Sequence, residues 1–151
     1  MPRTPSEYHP HEIILQLNDA STLSNHLASG PHVMAVGTIN RKDKRILISN
    51  YGDSYQPFIM ASGADVLAPH LNGECFHLTG TSMAAPFVVG AAGLILSMAK
   101  RKGKTLEAAE VYDILLKSAD THLLRNKNDD EYGSGILDVE KALLETKKRF
   151  A

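Results

Sequence analysis

His77-Leu-Thr-Gly-Thr-Ser-Met-Ala-Ala-Pro86 opens a stretch that runs on to Ala99, with Ser97 its one polar interruption after Met83. Gly80 permits a sharp turn out of the strand-like residues before it. Ser82 then falls at the N-terminus of a helix, where unpaired N–H groups and the helix dipole favour negative charge. Pro86 is expected in the first turn, where its missing N–H has no helical partner to lose. Residues 83–99 form a helix that is apolar all round, and such a helix has to be buried all round. The other elements of the chain, two amphipathic helices and a few short strands, are too few to surround it. The chain therefore reads as part of a larger fold. Local physics leaves two roles open for Ser82: a serine capping a buried helix, or a nucleophile whose developing oxyanion would sit at the helix N-terminus.

Outward from this stretch, residues 33–39 are apolar and β-rich, which suits a strand covered on both faces in a parallel sheet. Residues 13–17 are a shorter run of strand type, followed by a loop rich in Asn, Ser and Gly at 18–31. Residues 45–49, 57–60, 65–67 and 75–78 are further short strands, and 133–137 is another. A second helix is predicted at 105–118, with Thr105 as N-cap, Glu107 in its first turn and Lys117 in its last. A third is predicted at 138–148, with Asp138 at its start and basic residues at its end. Strands alternating with helices indicate an α/β fold. The expected organisation is an irregular segment at 1–11 and one domain over 12–148.

Composition narrows the function classes. Of 151 residues, 43% are hydrophobic and 22% charged, which is ordinary for a globular protein. The net charge of −1 gives no broad attraction to nucleic acid or an acidic membrane, so neither is expected as a partner. The basic clusters at 100–104 and 147–149 each follow a predicted helix and complement its dipole. The longest apolar run, residues 83–96, is shorter than a bilayer span. Residues 1–11 lack the apolar core of a secretory signal, and the compartment stays open. Cys75 is the single cysteine, so an internal disulfide is excluded, and it is expected as a packed thiol on a buried strand. Asp65, Glu74 and the 129–131 acidic run lack the density of a calcium loop; no metal or cofactor is expected.

Gly80-Thr-Ser-Met-Ala-Ala-Pro86 resembles, residue for residue, the nucleophile motif of the subtilisin-like serine proteases (subtilases, peptidase S8). Val33-Met-Ala-Val-Gly-Thr38 and Ile48-Ser-Asn-Tyr-Gly52 resemble the family's strand and the turn after it. Asp65-Val-Leu-Ala-Pro69 resembles its Ala-Pro-Gly segment, with His70 where glycine is usual. Tyr132-Gly-Ser-Gly-Ile-Leu-Asp-Val139 resembles the Tyr-Gly-x-Gly segment that opens a late helix. The resemblance runs from about Ile13 to Leu144. It implies the C-terminal part of a three-layer α/β fold, with a mainly parallel sheet and a buried central helix starting at Ser82. It makes Ser82 the catalytic nucleophile of a serine endopeptidase acting on polypeptides.

By the same resemblance Asn18, 64 residues before Ser82, takes the place of the second oxyanion donor. Read locally, it is equally a loop asparagine. Leu15, Leu17 and Gly80 correspond to residues that line the substrate site, although the family usually has small residues where the two leucines stand. The family's Asp-Thr-Gly and His-Gly-Thr motifs have no counterpart among the 151 residues, and no histidine here precedes a glycine. A serine without a base is a poor nucleophile. The expectation is a subtilase fragment inactive alone, whose substrate is met only when the missing part, or a complementing chain, completes it. The alternatives are a non-catalytic binding module and a different serine hydrolase. The last is weakened because Gly80-Thr-Ser-Met-Ala84 ends in alanine where the nucleophile elbow has glycine.

Overall fold

The structure, a computed structural model, describes residues 33–52, 57–124 and 131–150. The expected segment 1–11 and the strand at 13–17 lie outside these. β1 (Ala35–Ile39) and β2 (Phe58–Ser62) pair in parallel, Ala35 opposite Phe58 and Ile39 opposite Ser62. Every residue of β1 is buried, which explains a sequence apolar but for Thr38. The 133–137 segment runs beside β2, but only Ile136 forms a ladder bridge, parallel to Met60. Its bonds are nonetheless well formed: Ser134 N–H to Phe58 O at 2.9 Å and Leu137 N–H to Met60 O at 2.8 Å. Gly133 has φ +59°, and a Cβ there would lie 2.6 Å from the Phe58 carbonyl oxygen. The Tyr-Gly-x-Gly pattern thus has a local cause, because the turn lies directly against β2 and leaves no room for a side chain.

β3 (Val66–Pro69) and β4 (Cys75–Leu78) form a separate antiparallel hairpin. All four β4 residues are exposed, so Cys75 is a surface thiol and the expectation of a packed one is corrected. The hairpin is two-stranded, and among the described residues no second layer covers β4. His70 is extended, at φ −127°, so its position makes no demand for glycine. Residues 45–49 form a turn, not a strand. Ser49 N–H bonds Ile46 O at 2.9 Å, and the Arg45 guanidinium takes the Ile46 and Ser49 carbonyls. Arg45 also pairs with Glu131 at 3.0 Å and lies over the Tyr51 ring, tying this turn to the Tyr132 segment.

Three helices follow: α1 (Thr81–Arg101), α2 (Ala108–Ser118) and α3 (Val139–Arg149). One side of α1, carrying Ala84, Val88, Ala91, Ala92, Ile95 and Ala99, packs into a core with Met34, Val36, Ile59, Ile114 and Leu115. Ile95 and Ile114 are wholly buried, and each contributes about 1.5–3 kcal/mol by leaving water. The other side of α1 is as apolar but exposed, with Phe87, Val89 and Leu94 on it. The expectation of a helix buried all round is thus corrected to one buried on a single side.

The helix starts differ in detail from the expected ones. α2 begins at Ala108 instead of Thr105, capped by Glu107 and Glu110 in a reciprocal capping box. Two backbone donors are satisfied there, which a lone threonine cap could not do. Asp138 caps α3 as expected, its carboxylate accepting from Lys141 N–H at 2.9 Å. Pro86 falls in the second turn of α1, where it cannot donate to the Ser82 carbonyl, so its place in the first turn is corrected.

α2 and α3 are joined through Asp113, which accepts from Lys117 and from Arg149. The Lys117 hydrogen bond above all, with help from Arg149, holds the Asp113 carboxyl below its ordinary value. A carboxyl depressed in the folded state stabilises above its unfolded pKa, and that contribution drains as pH falls through the folded value. The Asp113 contribution should therefore be whole above about pH 4 and fade below it. Urea denaturation should find Asp113→Asn less stable than the parent at pH 6. The gap should narrow by pH 3, and a gap independent of pH would refute the assignment.

Candidate active site

The turn into α1 is built by backbone. Gly80 N–H donates to Gly63 O at 2.8 Å, which hangs the turn on the residue just after β2. Gly80 O then accepts from Met83 N–H at 3.0 Å and from Ala84 N–H at 3.3 Å, starting the helix. Gly80 is extended, with φ 165°, so the turn does not require glycine for its backbone angles. A Cβ at Gly80 would meet nothing nearer than Ser82 N at 3.9 Å. The position that a Cβ would take at Gly80 is open. Thr81 is buried, while Ser82 stands exposed in the first helical turn. The N-cap residue, Gly80, has no side chain to cap this end, and the first turn carries no acidic residue. The positive end of the helix dipole lies beside the Ser82 hydroxyl, suited to a developing oxyanion. Ser82 itself is not the cap, so the capping role left open for it is not the one observed.

The hairpin leading to Ser82 carries a charged group that sequence reading did not pair. Asp65, at φ 58°, accepts from His77 Nδ1 at 2.8 Å and from Arg41 at 3.0 Å. Its N–H donates to the Thr79 hydroxyl at 2.9 Å. His77 lies five residues before Ser82, and its Nδ1 is held by Asp65. His122 is likewise held by Asp120 at 3.1 Å, and His70 packs edge-on against Phe76. Among the described residues no histidine hydrogen-bonds to the Ser82 hydroxyl. The His122 N–H, first of all, holds the Asp120 carboxyl low, an effect of the local turn and remote in sequence from Ser82.

Of the candidate residues, Ser82 and Gly80 meet at one turn. Asn18, Leu15 and Leu17 lie outside the described residues. Gly63 is the residue sequence reading missed. Its signal was available only as a glycine between two apolar strands, a pattern that many loops share.

A family model described as the subtilase family, Peptidase S8, matches residues 9–135. The chain is 38% identical over 103 residues to the cell wall-associated protease of Bacillus subtilis, covering 68% of this chain and 11% of that one. It is 37% identical over 111 residues to Subtilisin DY of Bacillus licheniformis, covering 73% and 36%. Among solved structures, the prenylagaramide maturation protease PagA superposes with a TM-score of 0.78 at 33% identity, covering 89% of this chain and 50% of that one. The subtilisin-like α/β fold therefore extends to this chain. The chain spans well under half the length of these curated relatives.

Proposed function

Since the chain belongs to the subtilase family, we propose that it is the C-terminal part of a serine endopeptidase, with Ser82 as the nucleophile. Residues 12–148 are then the portion of the catalytic domain present. In the proposed reaction the Ser82 hydroxyl attacks a peptide carbonyl, and the oxyanion forms at the N-terminus of α1. The amine leaves, and water later releases the acyl group from Ser82. Asn18 supplies the second oxyanion hydrogen bond, and Leu15, Leu17 and Gly80 border the bound peptide. The observation that carries this reading is the exposed Ser82 in a first turn whose N-cap is Gly80, with open space where a Cβ of Gly80 would stand.

A base must take the proton of Ser82, and the members of such a triad act as a unit. The chain alone is therefore proposed to be inactive on peptides. A second reading, a non-catalytic binding module, draws support from there being, among the described residues, no histidine hydrogen-bonded to the Ser82 hydroxyl. A fluorophosphonate probe separates the two. Attack by Ser82 forms an O–P bond, expels fluoride and gives the serine proton to a base. The purified chain should label no faster than an ordinary surface serine. A chimaera joining this chain to the part of Subtilisin DY that it does not match should label at Ser82 rapidly and stoichiometrically. Rapid labelling of the chain alone would overturn the inactivity, and an unlabelled, folded chimaera would overturn the nucleophile.

A further inference from the structure

We propose that Asn72 is a site of spontaneous covalent modification. The Asn72-Gly73 pair at the tip of the β3–β4 hairpin cyclises to a succinimide, which water opens to aspartyl and isoaspartyl forms. The reaction needs no catalytic group, so it is independent of the role given to Ser82.

Asn72-Gly73 is the one Asn-Gly pair in the 151 residues. A glycine after an asparagine has no Cβ to obstruct attack by its own nitrogen. Asn72 lies in the loop between β3 and β4 with φ 63° and ψ 20°, and Gly73 follows with φ 78°. Asparagine and glycine are the residues that adopt this left-handed backbone most readily, which is why they stand at the tip. A Cβ at Gly73 would meet nothing within 4 Å, so no neighbouring group walls off its nitrogen. Residues 69–79 are all exposed. No hydrogen bond between described residues involves the Asn72 side chain. The other described asparagines differ on each count. Asn40 Oδ1 accepts from the Lys42 and Lys44 N–H groups at 2.9 and 3.2 Å, and Arg41 follows it. Asn50 is buried and precedes Tyr51.

In the first step Gly73 N–H gives its proton to hydroxide, the nitrogen bonds to Asn72 Cγ, and ammonia leaves. The product is a five-membered imide. Water then cleaves one of the two C–N bonds of that imide. Cleavage at Cγ gives an aspartate in the ordinary chain. Cleavage at the backbone carbonyl routes the main chain through Cγ and lengthens it by a methylene. In either case one water is consumed, one ammonia is released, and a neutral amide becomes a carboxylate. Ring closure requires the ψ bond of Asn72 to turn away from 20°. The bond that closes the loop is His70 N–H to Glu74 O at 2.8 Å. A solvent-exposed tip held in this way opens locally at little cost. The extra methylene matters because loop length sets hairpin register. That register places Pro69 opposite Cys75 and Leu67 opposite His77. The β-linked product therefore loosens β4, the strand that leads to the Ser82 turn, and the aspartyl product leaves it paired.

The test is to incubate the folded 151-residue chain at pH 8 and at pH 6. Asn72 is followed by peptide mass mapping, and the β-linked product by an isoaspartyl methyltransferase. Asn72 should convert before Asn40 and Asn50, and at least tenfold faster at pH 8, because hydroxide takes the amide proton. Asn72→Gln should abolish the product, since attack would then need a six-membered ring. Gly73→Ala should slow conversion at least tenfold. A synthetic peptide of residues 67–79 with and without that change reads the chemistry apart from any effect on the fold. Amide exchange along β4 should be at least fivefold faster in the purified isoaspartyl form than in Asn72→Asp. Asn72 intact after Asn40 has converted would overturn the proposal. So would equal rates at the two pH values, or a Gly73→Ala peptide that converts as fast as its parent. Equal exchange in the isoaspartyl form and Asn72→Asp would overturn the loosening of β4.

Discussion

In a completed domain, Ser82→Ala should reduce peptide turnover by about 10⁶-fold while leaving the thermal midpoint unchanged. The size is carried over from subtilisin, where loss of the nucleophile alone removes nearly all that the triad contributes. It corresponds to about 8 kcal/mol of transition-state stabilisation. The structural half of the expectation comes from this chain. Ser82 is exposed and does not cap α1, so removing its hydroxyl deprives no described backbone donor of a partner. Asn18→Ala should behave differently. An oxyanion donor of this kind contributes about 10²–10³ in turnover, again by analogy with subtilisin. In the Ser82→Ala background the Asn18 change should add much less than it does alone, because no acyl-enzyme oxyanion then forms. Equal losses from the two single substitutions, or full additivity, would refute the division of roles. The readout is turnover of a chromogenic peptide at saturating substrate, with thermal unfolding as the control.

The parts of the fold legible in the sequence are those set by local pattern. β1 is apolar apart from Thr38 and is buried at every position. α3 could be placed within a residue because Asp138 is a strong cap and the basic residues cluster at its end. The uniform apolarity of residues 83–99 predicts a helix buried all round, whereas α1 is buried on one side and leaves Phe87, Val89 and Leu94 exposed. What was not legible depends on partners distant in sequence. β4 has the alternation-free apolar look of a buried strand, yet among the described residues no second layer covers it, and Cys75 is left at the surface. Residues 45–49 have strand composition, but the Arg45 guanidinium draws their carbonyls into a turn and joins it to Glu131. Arg45 and Glu131 are 86 residues apart, and no periodicity reports such a bond. The site divides in the same way. Ser82 was visible because its motif is contiguous. Gly63, which holds that motif in place, was not, because its contact with Gly80 exists only once β2 and α1 are packed.

Gly63→Ala should be among the most destabilising single-methyl changes available to this chain, lowering its stability by about 3 kcal/mol. Gly63 lies buried between the end of β2 and the start of the hairpin. A Cβ there would collide with the Thr38 hydroxyl, lie 2.6 Å from the Gly80 carbonyl oxygen and 2.9 Å from the Ala84 Cβ. None of these groups can yield cheaply. Thr38 is wholly buried on β1, Ala84 is in the core, and Gly80 O accepts the first two bonds of α1. The least resistant response is to push the Gly80 turn outward, stretching its 2.8 Å bond to Gly63 O and displacing Ser82. The substitution should therefore act twice. Urea denaturation should register the lost stability in the isolated chain. The completed domain should lose turnover well beyond its unfolded fraction, measured at a temperature where the variant is still folded. Adding Thr38→Ala removes one of the three collisions and should restore only part of the stability, since the Gly80 and Ala84 contacts remain. Full restoration would mean that Gly63 merely makes room for a hydroxyl. Partial restoration with turnover still low would identify Gly63 as the support on which the Ser82 turn rests.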